Sequence, residues 1–292
     1  MNRIMTLMLI TLGGCVLIGC GATAPIEPLD DVPPEDIETV HLVVSTEVDE
    51  DLHVLTRGSP DVGLVGWAGY KLAERMAADK QEELNEYLAD TDFQGRMLSS
   101  IADAVEGTDM FHVGEVTKVP GREPDAVGQF LNESEDDAVM FVSVWPRLGI
   151  NRAQINFWIF WWIVEPDAVE AYEKGLQESP WKPDTDEVLA RGEIRNWVRY
   201  RGASQVPATA FTTWMEMTDP DFSTFYNRRI DNLARWMEID LSWEPLPDES
   251  WHEIETVQWG TNNARLVEHG EDGTVYRLRD GRLIIEEEVD IQ

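Results

Sequence analysis

Two long apolar runs dominate the chain. Ala138-Val139-Met140-Phe141-Val142-Ser143-Val144-Trp145 is apolar at nearly every position, and so is Ile155 to Val164. Runs of this length without alternation suit central strands covered on both faces. Gly149-Ile150-Asn151-Arg152 lies between them as a turn, so the two are expected to form an antiparallel hairpin. Within the second run, Trp158, Phe160 and Trp162 alternate with Phe157, Ile159 and Trp161, which puts the two sets on opposite faces of a strand. Shorter strand signals stand at His41 to Ser45, around Leu52 to Leu55 and at Phe111 to Val116, and residues 188–200 predict a third long strand.

Between these, the apolar period changes to that of a helix. Ser59-Pro60 reads as an N-cap followed by Pro in the first turn, opening a helical stretch to about Leu88 with Leu64, Trp67, Leu72, Met76, Leu84 and Leu88 as apolar positions. Asp92 is placed to cap a second helix. Its Phe93, Met97, Ile101 and Val105 recur every four residues, and Gly107 ends it. Asp125 to Leu131 predicts a short helix. Asp219-Pro220 is expected to cap the helix with the strongest stripe in the chain: Phe222, Phe225, Tyr226, Ile230, Leu233, Trp236, Met237 and Leu241. Val257 to Glu287 reads as a small β meander with turns at Asn262-Asn263, Asp272-Gly273 and Asp280-Gly281. The expected fold class is α/β: a mixed, largely antiparallel sheet packed by helices, with a small C-terminal β meander.

The first 38 residues follow other rules. Arg3 supplies a positive start, Met5 to Ile18 is an apolar core, and Leu17-Ile18-Gly19-Cys20 closes it. The apolar stretch falls short of the roughly 20 residues that span a bilayer, so it reads as an export signal. The closing tetrapeptide resembles the lipobox of bacterial lipoproteins, with an aliphatic residue at its start and a small one before the Cys. That resemblance implies cleavage before Cys20, a diacylglycerol on its thiol and an acylated amine; two or more chains anchor stably where one does not. Position 21 is Gly and not Asp, the pattern of lipoproteins sent to the outer membrane. Pro25, Pro28, Pro33 and Pro34 among acidic residues then predict a tether. The expected layout is a signal peptide at 1–19, an acylated Cys and Pro-rich tether at 20–38, an α/β domain at 39–245, and a meander at 246–292 packed on it or appended to it.

Charge narrows the partners. With 23 Lys and Arg against 56 Asp and Glu, the net charge is −33. A nucleic-acid binder needs a positive footprint, so no nucleic-acid partner is expected. Only five basic residues are Lys (71, 80, 118, 174, 182). Few Lys with many acids is the composition of a salt-adapted protein, in which salt shortens the range of self-repulsion. The two cysteines stand at 15 and 20, so a processed domain has no thiol for a disulfide, a zinc cluster or a nucleophile.

Three pieces carry a resemblance to a group of uncharacterised bacterial envelope lipoproteins. They are Gly63-Leu64-Val65-Gly66 followed by Leu84 to Val105 with Asp92-Phe93 at the helix start; Asp137-Ala138-Val139-Met140-Phe141-Val142 leading into paired strands; and Trp214, then Asp221 to Leu241. The resemblance covers roughly residues 40–245 and implies a three-layer or two-layer α/β sandwich (an α+β sandwich), similar to the domains of the curli-secretion lipoprotein and of the N-terminal TolB type. The Trp-rich strand at 158, 161 and 162 departs from the aliphatic strands of that pattern. The family brings no catalytic residues to transfer.

Candidate chemistry is sparse. The chain has no G-x-S-x-G elbow, no H-E-x-x-H and no G-x-x-x-x-G-K-[ST]. Gly63, Gly66 and Gly69 recur every three residues, a spacing for close helix packing and not for a phosphate loop. No two of the five histidines (41, 53, 112, 252, 269) stand at metal-ligand spacing. The acids Asp184, Asp186, Glu187 and Glu47, Asp49, Glu50, Asp51 lack the Gly turn of a calcium loop. No catalytic, cofactor or metal residue is therefore assigned. The least ordinary feature is Trp158, Trp161 and Trp162. They are read first as core, and otherwise as an aromatic patch for another envelope protein or a glycan. The expectation is a lipid-anchored envelope protein of accessory or binding type; the alternative is a periplasmic hydrolase using carboxylates. A cleft with two carboxylates of raised pKa would favour the hydrolase, and a flat aromatic patch the binder.

Overall fold

The computed structural model describes residues 37–46, 51–55, 63–108, 110–119, 136–149, 154–165, 188–200, 207–218, 220–241, 251–254, 262–270, 273–278 and 282–289. The signal and lipobox, the tether to residue 36, the Ser59-Pro60 cap, the helix expected at 125–131, the turn at 150–152, the Asp280-Gly281 turn and the acids at 47, 49, 50, 184, 186 and 187 lie outside the described residues.

The strands are β1 (Thr39–Thr46), β2 (His53–Leu55), β3 (His112–Val119), β4 (Ala138–Gly149), β5 (Gln154–Val164), β6 (Val188–Tyr200), β7 (Trp251–Ile254), β8 (Asn262–Gly270), β9 (Gly273–Leu278) and β10 (Arg282–Val289). The helices are α1 (Gly63–Leu88), α2 (Phe93–Glu106), α3 (Pro207–Met215) and α4 (Phe222–Leu241). All ten strands join one mixed sheet in the order β3-β1-β4-β5-β6-β10-β9-β8-β7, with β2 pairing β4 beyond the end of β1. The fold is α/β, with β4 and β5 adjacent and antiparallel. The meander continues the same sheet: β10 pairs β6 in parallel and carries β9, β8 and β7 outward.

The strand alternation read from the sequence sorts side chains into two layers. Val40, Leu42 and Val44 of β1, Met140 and Val142 of β4, and Ile159 and Trp161 of β5 face the helices; Val43, Phe141, Phe160 and Trp162 face the other way. The buried side chains of all four helices belong to the first layer. The α4 stripe is buried throughout, with Leu233 and Trp236 at 1% and 4% exposure. Tyr226 stands at its centre, edge-on to Phe93 of α2 at 4.6 Å and stacked on Phe157 of β5 at 5.5 Å. Among the described residues, no helix is long and apolar enough to cross a membrane.

Two local readings need correction. The acid that caps α4 is Asp221 and not Asp219: the Thr224 N–H donates to its carboxylate at 2.7 Å, because an N-cap must sit directly before the first helical residue. Gly107 closes α2 as expected, in right-handed conformation (φ −77°), with its N–H donating to the Asp103 carbonyl. Asn262-Asn263 is not a turn; both residues are in β8, opposite Ile254 and Glu253 of β7. Asp92 caps α2 as expected, accepting from Gly95 N at 3.0 Å. A Cβ at Gly95 would lie 2.5 Å from that carboxylate, so a side chain there would require the Asp92 carboxylate to shift.

Candidate functional site

The second face of the sheet carries an aromatic and guanidinium cluster at the middle of β4, β5 and β6. Register creates it. Trp145 of β4 is opposite Trp158 of β5, and Trp158 is opposite Arg195 of β6. Arg147 stands two residues beyond Trp145 and so on the same face. The two indoles stack at 6.3 Å with 23° between their planes. The Arg147 guanidinium lies 4.4 Å from the Trp145 ring centre and 4.9 Å from that of Trp158, and the Arg195 guanidinium 5.0 Å from Trp158. Trp158 thus meets two cations at the distance where the ring quadrupole attracts them. The buried Glu193 accepts from Arg195 Nε and fixes that fork. Trp145 Nε1 donates to Ser143 Oγ at 3.2 Å.

The strip is graded along β5. Phe160 (7% exposed) and Trp162 (5%) stack on each other at 6.0 Å and join Val43, Val139 and Phe141 in an apolar layer. Trp158 is only partly buried. The partly buried Arg147 and Arg195 guanidinium groups at this face have the fork that pairs with a carboxylate or hydroxyl group.

The three tryptophans singled out from the sequence do not act together. Trp158 and Trp162 share this face. Trp161 points into the helix layer, is 1% exposed, and donates its Nε1 to Asp240 of α4 at 2.8 Å. Its indole lies over Gly192 of β6, where a Cβ would come within 2.3 Å of the ring, so only glycine fits opposite it. Arg147 and Arg195 went unmarked in the sequence. The signal that could have found Arg195 is the recurrence of Arg at every fourth position of β6 (Arg191, Arg195, Arg199), which places the three on one face of the strand.

The carboxylates gather elsewhere, at the carboxyl end of β1 where α2 begins. Asp51 accepts from Gln94 N at 2.6 Å, Gln94 Nε2 donates to Thr46 Oγ1 at 2.6 Å, and the Tyr226 hydroxyl donates to the Asp51 carbonyl at 2.7 Å. Burial raises the Asp51 carboxyl above its usual value; the Gln94 hydrogen bond opposes this and the nearby Asp92 charge adds to it. Burial, and then the Asp51 charge, push the Tyr226 hydroxyl well above the ordinary phenol value. Both acids are committed to the helix start, one through Gln94 N and one through Gly95 N. The neighbouring depression, lined by residues including Arg96, Ser99 and Lys118, has Asp92 as its single carboxylate. Among the described residues, no group of three or more His, Cys, Asp or Glu side chains is placed to hold a metal ion.

No protein-family model matches the chain, and comparison with curated proteins finds no relative.

Proposed function

We propose that this protein is a lipid-anchored binding protein of the cell envelope: it holds another envelope component, protein or glycan, on the second face of its sheet and performs no reaction on it. The observation that carries the reading is the Arg147–Trp158–Arg195 arrangement, a partly buried indole within reach of two guanidinium groups, of which Arg195 is held by Glu193. The address comes from Leu17-Ile18-Gly19-Cys20 and the Pro-rich stretch after it. Acyl chains at Cys20 would hold the domain at an outer-membrane surface facing the periplasm, and a likeness to envelope lipoproteins belongs to the same reading.

The test is capture from detergent-solubilised envelopes with the acylated chain as bait. A partner retained by the native chain and lost with both Trp158→Ala and Arg147→Ala supports the reading, provided that both variants melt near the native temperature. Retention by both variants would remove the second face from the proposal. The address is tested separately. Mass spectrometry should find acyl mass on Cys20 and none on Cys20→Ala.

The hydrolase reading has one observation in its favour, the raised Asp51 carboxyl beside Asp92. Hydrolysis of an envelope glycan or ester by the native chain, abolished by Asp51→Asn, would replace binding with catalysis.

A further inference from the structure

A depression of about 560 Å³ opens beside the first turns of α2, at the carboxyl ends of the parallel strands β1 and β3. Two cations line it from different elements, Arg96 from the first turn of α2 and Lys118 from the last residues of β3. Ser99 and Ser100 follow Arg96 by three and four residues, so they share its face of the helix, and both line the depression. Lys118 Nζ donates to Ser99 Oγ at 3.3 Å, which brings the ammonium onto that face. Arg96 donates through one terminal nitrogen to Asn227 of α4. That bond holds the guanidinium against the helix pair and leaves the other side of its fork turned to no acceptor among the described residues.

The charges here are not matched as they are elsewhere. Lys71, Lys80, Arg195 and Arg229 each meet a glutamate, whereas among the described residues neither Arg96 nor Lys118 has a carboxylate partner. Asp92, the one carboxylate of the lining, is engaged with Gly95 N. The N–H groups that start the helix are taken by Asp51 and Asp92, so it is side chains and not the helix terminus that offer donors to a ligand. Two cations against one carboxylate leave the lining net positive. At physiological salt the Debye length is about 8 Å, so a small anion within the depression responds to that lining more than to the distant acids. An extended anionic surface would meet those acids as well and be repelled. The position also fits a ligand, since open α/β sheets bind theirs outside the carboxyl ends of parallel strands.

We propose that this depression is a binding site for a phosphate group carried on a small soluble molecule. The Arg96 fork takes two of its oxygens, the Lys118 ammonium meets its second charge, and the Ser99 and Ser100 hydroxyls donate to the remaining acceptors. A carboxylate would satisfy the fork but leave the ammonium and hydroxyls with little to bind, which is why the phosphate is preferred. The volume exceeds that of a phosphate and leaves room for the molecule that carries it. This site lies on the helix side of the sheet and is independent of the binding reading for the second face.

The experiment is equilibrium dialysis of the full chain in detergent against radiolabelled inorganic phosphate, with chloride holding the ionic strength constant. The expected result is saturable uptake, displaced by glycerol 3-phosphate and weakened about tenfold or more by Arg96→Gln and by Lys118→Gln, but unchanged by Lys71→Gln. All three side chains are exposed, so the substitutions spare the core, and thermal melts near the native temperature verify this. If Arg96→Gln loosens the contact with Asn227, Lys118→Gln still carries the test. No saturable uptake at millimolar phosphate would overturn the proposal, and so would an equal loss with Lys71→Gln, which would reduce the effect to general charge. Displacement by phosphatidylglycerol vesicles and not by glycerol 3-phosphate would overturn the soluble ligand in favour of a lipid headgroup.

Discussion

Arg229 of α4 and Glu287 of β10 make an ion pair between the helix layer and the sheet, with exposures of only 10% and 2%. Asn196 of β6 donates to the second Glu287 oxygen at 2.5 Å, so one carboxylate joins α4, β6 and the C-terminal strand. The two charges are not equivalent. Arg229 also lies 5.1 Å from the Phe225 ring centre and has a long stem that can carry its charge toward water. Glu287 has a short stem and almost no access to solvent. Arg229→Met should therefore strand a buried carboxylate with one neutral donor, at a cost of about 3–5 kcal/mol. Glu287→Gln keeps an acceptor for Asn196 and lets Arg229 move outward, and should cost less, on the order of 1–3 kcal/mol. The double variant Arg229→Met with Glu287→Leu removes both charges and should recover most of the loss, since an apolar pair of similar volume is often as stable as a buried ion pair. Urea melts of the native chain, the two single variants, Glu287→Leu and the double variant close the cycle. The reasoning is refuted if Arg229→Met and Glu287→Leu add without coupling. It is also refuted if Arg229→Met is the milder of the two Arg229 and Glu287→Gln changes.

Leu233 is 1% exposed in the α4 stripe, so Leu233→Ala should cost roughly 2–5 kcal/mol, whereas the exposed Glu238 on the same helix should tolerate Ala within about 0.5 kcal/mol; equal melts would deny α4 its core role. Because the folded Asp51 pKa lies above its unfolded value of 3.8, ionising it opposes folding: its contribution to stability falls as the pH rises from about 3.8 through the raised folded value. Asp51→Asn, which can still accept from Gln94, should remove that part of the pH dependence in thermal melts across the window, and an unchanged profile would refute the assignment. If the charge of −33 reflects adaptation to salt, melting temperature should climb steadily up to molar sodium or potassium chloride without ion preference, and saturation at micromolar calcium would point to a specific site instead.

Most elements and the faces they bury could be read from the order of apolar and polar residues. Strands β4, β5 and β6, the α2 stripe from Phe93 to Val105 and the α4 stripe from Phe222 to Leu241 were legible, because the periods of 2 and 3.6 are properties of the local backbone. So was the separation of Trp158 and Trp162 from Trp161. Which residues meet across elements follows from the assembled fold. The same stripe on α4 conceals Arg229 and Asp240, whose polar groups are buried only because Glu287 and Trp161 face them from strands 58 and 79 positions away in the chain. The candidate site has the same origin. Trp145, Trp158 and Arg195 become neighbours through the register of three strands, and a slip of one residue would turn every one of them to the opposite face. Hydrophobic period fixes a face within one element, but register and the order of strands in the sheet arise from packing among all of them, which no local stretch encodes.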